Sequence, residues 1–62
     1  MNHMFVLFVN YNGFVGENDS IVHNVVAARH FDSREEAEKH RIELCGSKRV
    51  EFQNTISILE WL

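Results

Sequence analysis

The chain has 62 residues, a mass of 7.3 kDa and a net charge of −3, with 45% hydrophobic residues and a single cysteine. A chain this short forms one domain, residues 1–62, and a single cysteine excludes an intrachain disulfide. The acidic balance disfavours nucleic acid, because phosphate contacts need lysine and arginine. Neither a signal peptide nor a transmembrane span fits the sequence, so we expect a cytoplasmic protein without membrane contact.

The stability of so small a domain is marginal. Folding would bury about 6,300 Å² of surface, and its apolar part contributes on the order of 90 kcal/mol at about 25 cal/mol per Å². Ordering the 62 residues costs about the same, at about 1.5 kcal/mol each. Small proteins in this position depend on disulfides, metals or oligomerisation, which makes a homodimer the expected state.

The strongest apolar segment lies near the N-terminus. Met4 to Val9 are six consecutive apolar residues, and a strand directs successive side chains to opposite faces of its sheet. Both faces of this strand therefore need cover. The single predicted helix can cover one face, so we expect a subunit or a partner on the other.

The next segment predicts a hairpin and a second strand. Asn12-Gly13 is typical of tight hairpin turns, with a possible short return strand at residues 14–15. Gly16 to Ser20 has the composition of a second turn. Ile21 to His30 contains four β-branched residues and predicts the second main strand.

A helix is predicted from Ser33 to Cys45. Ser33 and Glu36 have the spacing of a capping box, and Phe31 and Ala37 can form a hydrophobic staple. Gly46 is placed to end the helix.

The apolar stripe of this helix is thin. At 100° per residue, Ala37, Leu44 and Cys45 fall on one side, with Arg41 in the middle of the stripe. Arg41 either extends its aliphatic stem over the sheet edge or anchors an interface. We expect Cys45 to be a small buried hydrophobic residue.

The C-terminal segment favours strand. Apolar and polar residues alternate in Val50 to Ile58, while residues 54–62 either continue as strand or form a short helix capped by Asn54. The predicted fold class is α+β, a small antiparallel ββαβ sheet with one helix packed on one face and a subunit or partner covering the second face.

No catalytic, cofactor or metal site is predicted. His23 and His30 are seven residues apart, so one continuous strand would point them to opposite faces. His40 and Cys45 are five residues apart, which places them about 140° apart around a helix. Neither spacing suits a zinc site.

Two groups of residues are candidates for binding. Loop aromatics and charged residues are predicted to bind a protein partner, with closure of the core as the alternative for the two aromatics; this group is Tyr11, Phe14, Glu17, Asp19 and Arg41. Apolar residues of the two ends are predicted to form an oligomer interface, and this group is Val6, Phe8, Ile58, Trp61 and Leu62. Closure of the core is the alternative for the C-terminal residues Leu59, Trp61 and Leu62.

The passage from the second strand into the helix resembles a small type I-F anti-CRISPR protein from phage. The resemblance covers about a third of the chain and rests on the segment Ala28 to Glu36, continued by Leu44, Gly46 and Ser47. It implies a small αβ protein that binds a host defence complex and blocks it without chemistry of its own. Outside this segment no motif matches, and no functional residue of the family is carried over to this chain.

The predicted function is a small non-enzymatic protein-interaction module, a phage or mobile-element inhibitor that acts in the cytoplasm of a host cell. The predicted partners are a host protein complex and a second copy of the chain. The alternative is a small nucleic-acid-binding regulator that uses Arg29, Arg41, Lys48 and Arg49.

Overall fold

A computed structural model describes residues 4–61. They form four strands, one α-helix and two 3-10 turns. In chain order these elements are β1 (Met4–Val9), β2 (Gly13–Val15), β3 (Ile21–Val22), a 3-10 turn (Val25–Ala27), α1 (Arg34–Cys45), a second 3-10 turn (Val50–Phe52) and β4 (Ile56–Trp61). The strands form one antiparallel sheet in the order β3-β2-β1-β4. The predicted α+β class is therefore confirmed.

Strand β1 is the centre of the sheet. It pairs with β4 along its whole length, from Met4 opposite Trp61 to Val9 opposite Ile56. It pairs with β2 only at its C-terminal end. At its N-terminal end Phe5 exchanges two backbone hydrogen bonds with Phe31, at 2.9 and 2.8 Å, so the segment that leads into the helix is tied to the central strand.

Local signals fix both ends of α1. The Ser33 hydroxyl accepts a hydrogen bond from the backbone N–H of Glu36 at 3.2 Å, which satisfies one of the free amides of the first turn. Gly46 ends the helix and donates to the Ile42 carbonyl. Only Ala37 and Leu44 of this helix are buried.

The main core lies between α1 and one face of the sheet. Its buried members are Leu7, Val9, Val15, Phe31, Ala37, Leu44, Phe52 and Ile56, with Phe5, Ile21 and Ile58 packed at its margin. Phe52 comes from the second 3-10 turn and is 1% exposed. A bulky aromatic from a connection thus supplies apolar volume that the polar helix lacks.

Two predicted strands differ from the structure. Ile21 to His30 is strand only at β3, and the chain then forms the first 3-10 turn, which Asn24 caps by accepting from the Val26 amide at 2.9 Å. Val50 to Ile58 is also divided, because residues 50–52 form a 3-10 turn and strand begins at Ile56. The structure resolves the alternative left open for residues 54–62: a strand spans residues 56–61.

The hairpin turn lies one residue earlier than predicted. The loop between β1 and β2 is Asn10-Tyr11-Asn12, and the Asn12 amide donates to the Val9 carbonyl at 3.0 Å. Gly13 belongs to β2 and has φ 144°, with the Val22 carbonyl only 2.6 Å from where a Cβ would stand. Glycine is therefore required at this position for the close approach of β3.

Cys45 was expected to be buried, and this is wrong: it is exposed. It follows the buried Leu44 by one residue, which rotates it about 100° around the helix and away from the core. Within residues 4–61, no helix combines the length and the apolar character that crossing a membrane requires.

Candidate functional site

The β1–β2 loop presents an aromatic side chain in an unusual backbone conformation. Tyr11 has φ 70°, in the left-handed region that bulky residues rarely adopt. Its side chain is 89% exposed. Burial therefore does not explain why an aromatic residue occupies a position suited to glycine or asparagine.

Hydrogen bonds from the residues before and after Tyr11 hold this loop in place. The Asn12 side-chain amide donates to the Glu51 carbonyl at 3.0 Å, across 39 residues of sequence. The Asn10 amide donates to the Thr55 carbonyl at 2.9 Å. Tyr11 is thus presented by a fixed loop, which lowers the entropy cost of using it in binding.

A shallow groove of about 610 Å³ runs between this loop and the second 3-10 turn. Val50, 81% exposed, lines the groove together with Tyr11, so two apolar side chains lie in contact with solvent on one concave surface. The remaining lining residues are Asn12, Ile21, His23, Glu51 and Asn54.

Glu51 and Arg49 supply the charge beside this groove. A hydrogen bond from its own backbone amide, and then one from Arg49 at 2.8 Å, hold the pKa of the Glu51 carboxyl below its ordinary value. The Arg49 guanidinium also lies 4.7 Å from the centre of the Phe52 ring. The charge of Arg49 is therefore already engaged within the chain.

The second face of the sheet carries a separate set of apolar residues. Alternation along β1 points Val6 and Phe8 away from the core that Leu7 and Val9 enter. Cross-strand pairing adds Phe14 opposite Phe8 and Leu59 opposite Val6. The pairing thus places Phe14 and Leu59 on the same face as Val6 and Phe8.

Contacts within the chain already occupy part of this face. The rings of Phe8 and Phe14 meet edge to face, with centroids 5.3 Å apart. The His30 ring lies 4.7 Å from that of Trp61. Val6 is 1% exposed and Leu59 is 41% exposed. The burial of Val6 hence needs no second chain, and cover of this face by a subunit or partner stays a prediction.

The five predicted interface residues do not share one surface. Val6, Phe8 and Trp61 have the second-face orientation in the register, whereas Ile58 pairs with Leu7 and packs at the margin of the main core. Strict alternation along β4 separates Ile58 from Trp61. Leu62 lies outside the described residues.

The five predicted partner-binding residues are dispersed as well. Phe14 lies on the second face beside Phe8, and Glu17 is exposed in the β2–β3 turn. Arg41 is hydrogen-bonded to Glu38 one helical turn away, and this bond raises the pKa of the guanidinium. Only Tyr11 of this group lines the groove.

Asp19 joins the β2–β3 turn to the helix. Its carboxylate lies 2.7 Å from Nε2 of His40, and Glu43 lies 3.5 Å from Nδ1 of the same ring. The His40 ring also packs on Phe31, with centroids 5.5 Å apart. This cluster holds α1 against the β2–β3 turn. Asp19 and His40 are 21 residues apart in the sequence, so no local pattern predicts their contact.

The outer edge of β4 is a further candidate surface. Since Thr55 accepts from Asn10, the alternation of an antiparallel ladder directs the backbone groups of Ser57 and Leu59 towards β1 and those of Ile56 and Ile58 outward. Within residues 4–61, Ile56 and Ile58 make no hydrogen bond on this outward side.

No group of three or more histidine, cysteine, aspartate or glutamate residues in the described part of the chain is arranged to hold a metal ion. No protein-family model, curated protein or solved structure matches the chain. Inference about function therefore depends on the geometry of the groove and of the β4 edge.

Proposed function

We propose that this chain is a small non-enzymatic protein-interaction module that binds a partner protein through the Tyr11 loop and the adjoining groove. The observation that carries the proposal is Tyr11 itself, an exposed aromatic residue at φ 70° on a loop fixed by Asn12. Left-handed backbone at a bulky residue costs about 1–3 kcal/mol, and such strain concentrates at functional sites. Tyrosine is also a favoured anchor in protein interfaces.

The charges support a protein partner over nucleic acid. Of the four basic residues in the alternative proposal, Arg41 bonds to Glu38, Arg49 bonds to Glu51, and Arg29 lies over the Phe31 ring at 5.1 Å. None of them lines the Tyr11 groove. Nucleic-acid binding needs lysine and arginine aligned on one surface, so we regard it as the second candidate.

The proposed partner is a host defence complex, and the proposed action is inhibition in the cytoplasm of the host cell. This part of the proposal is supported by the resemblance of the segment from Ala28 to Ser47 to a type I-F anti-CRISPR protein from phage. The helix cap at Ser33 within that segment positions α1. The proposed active form is a homodimer.

The substitution Tyr11→Asn tests the proposal, because asparagine tolerates the left-handed region better than tyrosine does. Because asparagine relieves part of a strain of about 1–3 kcal/mol, we expect a gain of about 1 kcal/mol in the free energy of unfolding, measured by urea denaturation. We expect a loss of the proteins that the parent captures from host lysate. A more stable variant that binds less is the signature of strain kept for function.

Ile42→Asn is the matched control, since Ile42 is 58% exposed on the helix and does not line the groove. It should capture the same proteins as the parent. Equal capture by Tyr11→Asn and the parent would contradict the proposal. A salt-sensitive shift of DNA or RNA, unaffected by Tyr11→Asn, would instead support the nucleic-acid alternative.

A further inference from the structure

We infer that β4 is the pairing edge for a second copy of this chain, so that two sheets join through antiparallel β4 strands into one continuous sheet. This pairing rests on the homodimer of the proposed function and uses Ile56 and Ile58, which lie outside the Tyr11 groove. It assigns a geometry to the dimer, edge to edge, in place of packing between the second faces of two sheets.

The first support is the set of backbone groups on the outward side of β4. Ile56 and Ile58 direct their N–H and C=O groups away from β1, and nothing within residues 4–61 bonds to them on that side. β4 is six residues long, about 20 Å at about 3.4 Å per residue. An edge of this length is a template for another strand.

The second support is the lack of protection on this edge compared with the other. Edge strands are commonly shortened, bulged or guarded by lysine or proline. β3, at the opposite edge, has two residues and leads directly into a turned segment. β4 contains neither lysine nor proline and shows no break in its pairing with β1.

The third support identifies the occupant as a second copy. In the register we infer, the two Ser57 residues lie opposite each other and the two-fold axis passes between them. Ile56 of each copy then lies opposite Ile58 of the other copy. Both side chains lie on the helix side, where Ile56 is a buried member of the main core and Ile58 packs at its margin, so the two cores would become continuous. β-branched pairs are favourable across strands.

Charge is compatible with this register. Glu60 is the one charged residue of β4, and the same axis places it opposite Asn54 of the other copy instead of a second glutamate. Like charges directly opposite each other destabilise a sheet. In this register the β4 strands of two copies pair isoleucine with isoleucine and bring no like charges opposite each other, as a two-fold interface between identical chains allows.

The test combines sedimentation with amide hydrogen exchange on the intact chain, from low micromolar to near millimolar concentration. We expect a monomer–dimer equilibrium, with the Ile56 and Ile58 amides more protected at high concentration. Ile58→Pro removes an outward donor at a position where an edge strand accepts proline. It should weaken dimerisation roughly tenfold or more, whereas Ile58→Val should not.

The outcomes separate this inference from its competitors. A parent that is monomeric at every concentration overturns it together with the proposed homodimer, while the Tyr11→Asn experiment still decides whether the groove binds a partner protein. A dimer in which the Ile56 and Ile58 amides exchange as fast as in the monomer shows association through another surface and also overturns it. If Ile58→Pro fails to fold, the exchange data on the parent decide alone.

Discussion

The two faces of the sheet are built from the same strands but are covered in different ways. On the helix face, eight buried residues form one connected cluster, to which β1, β2, β4, α1 and the second 3-10 turn all contribute. On the other face, Val6 and Ala28 are buried outside that cluster, and pairs of rings supply much of the rest.

This difference shows how a small chain distributes its apolar residues. A 12-residue helix with two buried side chains cannot cover a sheet alone, so the core recruits Phe52 from a turn and Phe31 from a connection. Within residues 4–61 no α-helix packs on the second face, where ring contacts of Phe8 with Phe14 and of His30 with Trp61 cover part of the surface. We therefore expect the helix face to carry most of the stability.

A matched pair of substitutions in β1 tests this expectation with the largest effect. Val9 is 0% exposed on the helix face and Val6 is 1% exposed on the second face. We expect Val9→Ala to cost about 2–3 kcal/mol, and Val6→Ala about 1 kcal/mol because its less constrained surroundings can collapse into the space. Urea denaturation of both variants in dilute solution measures the difference, and equal losses would contradict it.

The elements with local signals are those that could be predicted. Ser33 caps its helix through its own hydroxyl and Gly46 ends it, so no distant contact was needed to place α1. β1 was predictable from its unbroken apolar composition for a similar reason. Of the groove, the sequence predicted only Tyr11 as a binding residue. The turn that carries Tyr11 was also predicted, but one residue too late in the chain.

The remainder depended on tertiary context. Val50 to Phe52 alternates like a strand, yet the chain turns there so that Phe52 enters the core while Val50 stays exposed. The division of Ile21 to His30 likewise leaves isolated bridges in place of a strand, from Ala28 to Gly16 and from the following Phe31 to Phe5 of β1. Such long-range packing overrides local β propensity, and no spacing rule connects Asn12 to Glu51 or Asp19 to His40.

A second pair of substitutions tests how closely β3 approaches β2 at Gly13. Gly13→Ala places a Cβ 2.6 Å from the Val22 carbonyl at φ 144°, and we expect a loss of about 1–3 kcal/mol. Gly46→Ala meets only ordinary contacts at 3.7 and 3.8 Å, so its change should stay within about 1 kcal/mol. Thermal melting of the two variants provides the measurement. A neutral Gly13→Ala would show that the hairpin can shift.

The cluster of Asp19, His40 and Glu43, which joins the helix to the β2–β3 turn, contributes a smaller share of the stability of the helix face. His40→Phe keeps a ring against Phe31 but removes the 2.7 Å hydrogen bond to Asp19. We expect a loss of about 0.5–1.5 kcal/mol. His23→Phe at an exposed position is the control and should be close to neutral. If both variants have the same stability, the Asp19 contact does not hold the helix face together.

The smallest expected effect concerns the 3-10 turn that delivers Phe52 to the helix face. The pKa of Glu51 in the folded chain lies below its ordinary value of 4.5, because its carboxylate accepts hydrogen bonds from its own amide and from Arg49. A depressed folded pKa stabilises the fold above the ordinary value, and this contribution is lost as the pH falls through the folded value. Between about pH 5 and pH 3, the parent should therefore lose more stability than Glu51→Gln does. Melting curves across this range, with an NMR titration of the Glu51 carboxyl, measure the effect, and parallel losses in the two proteins would show that the turn stabilises the core by packing alone.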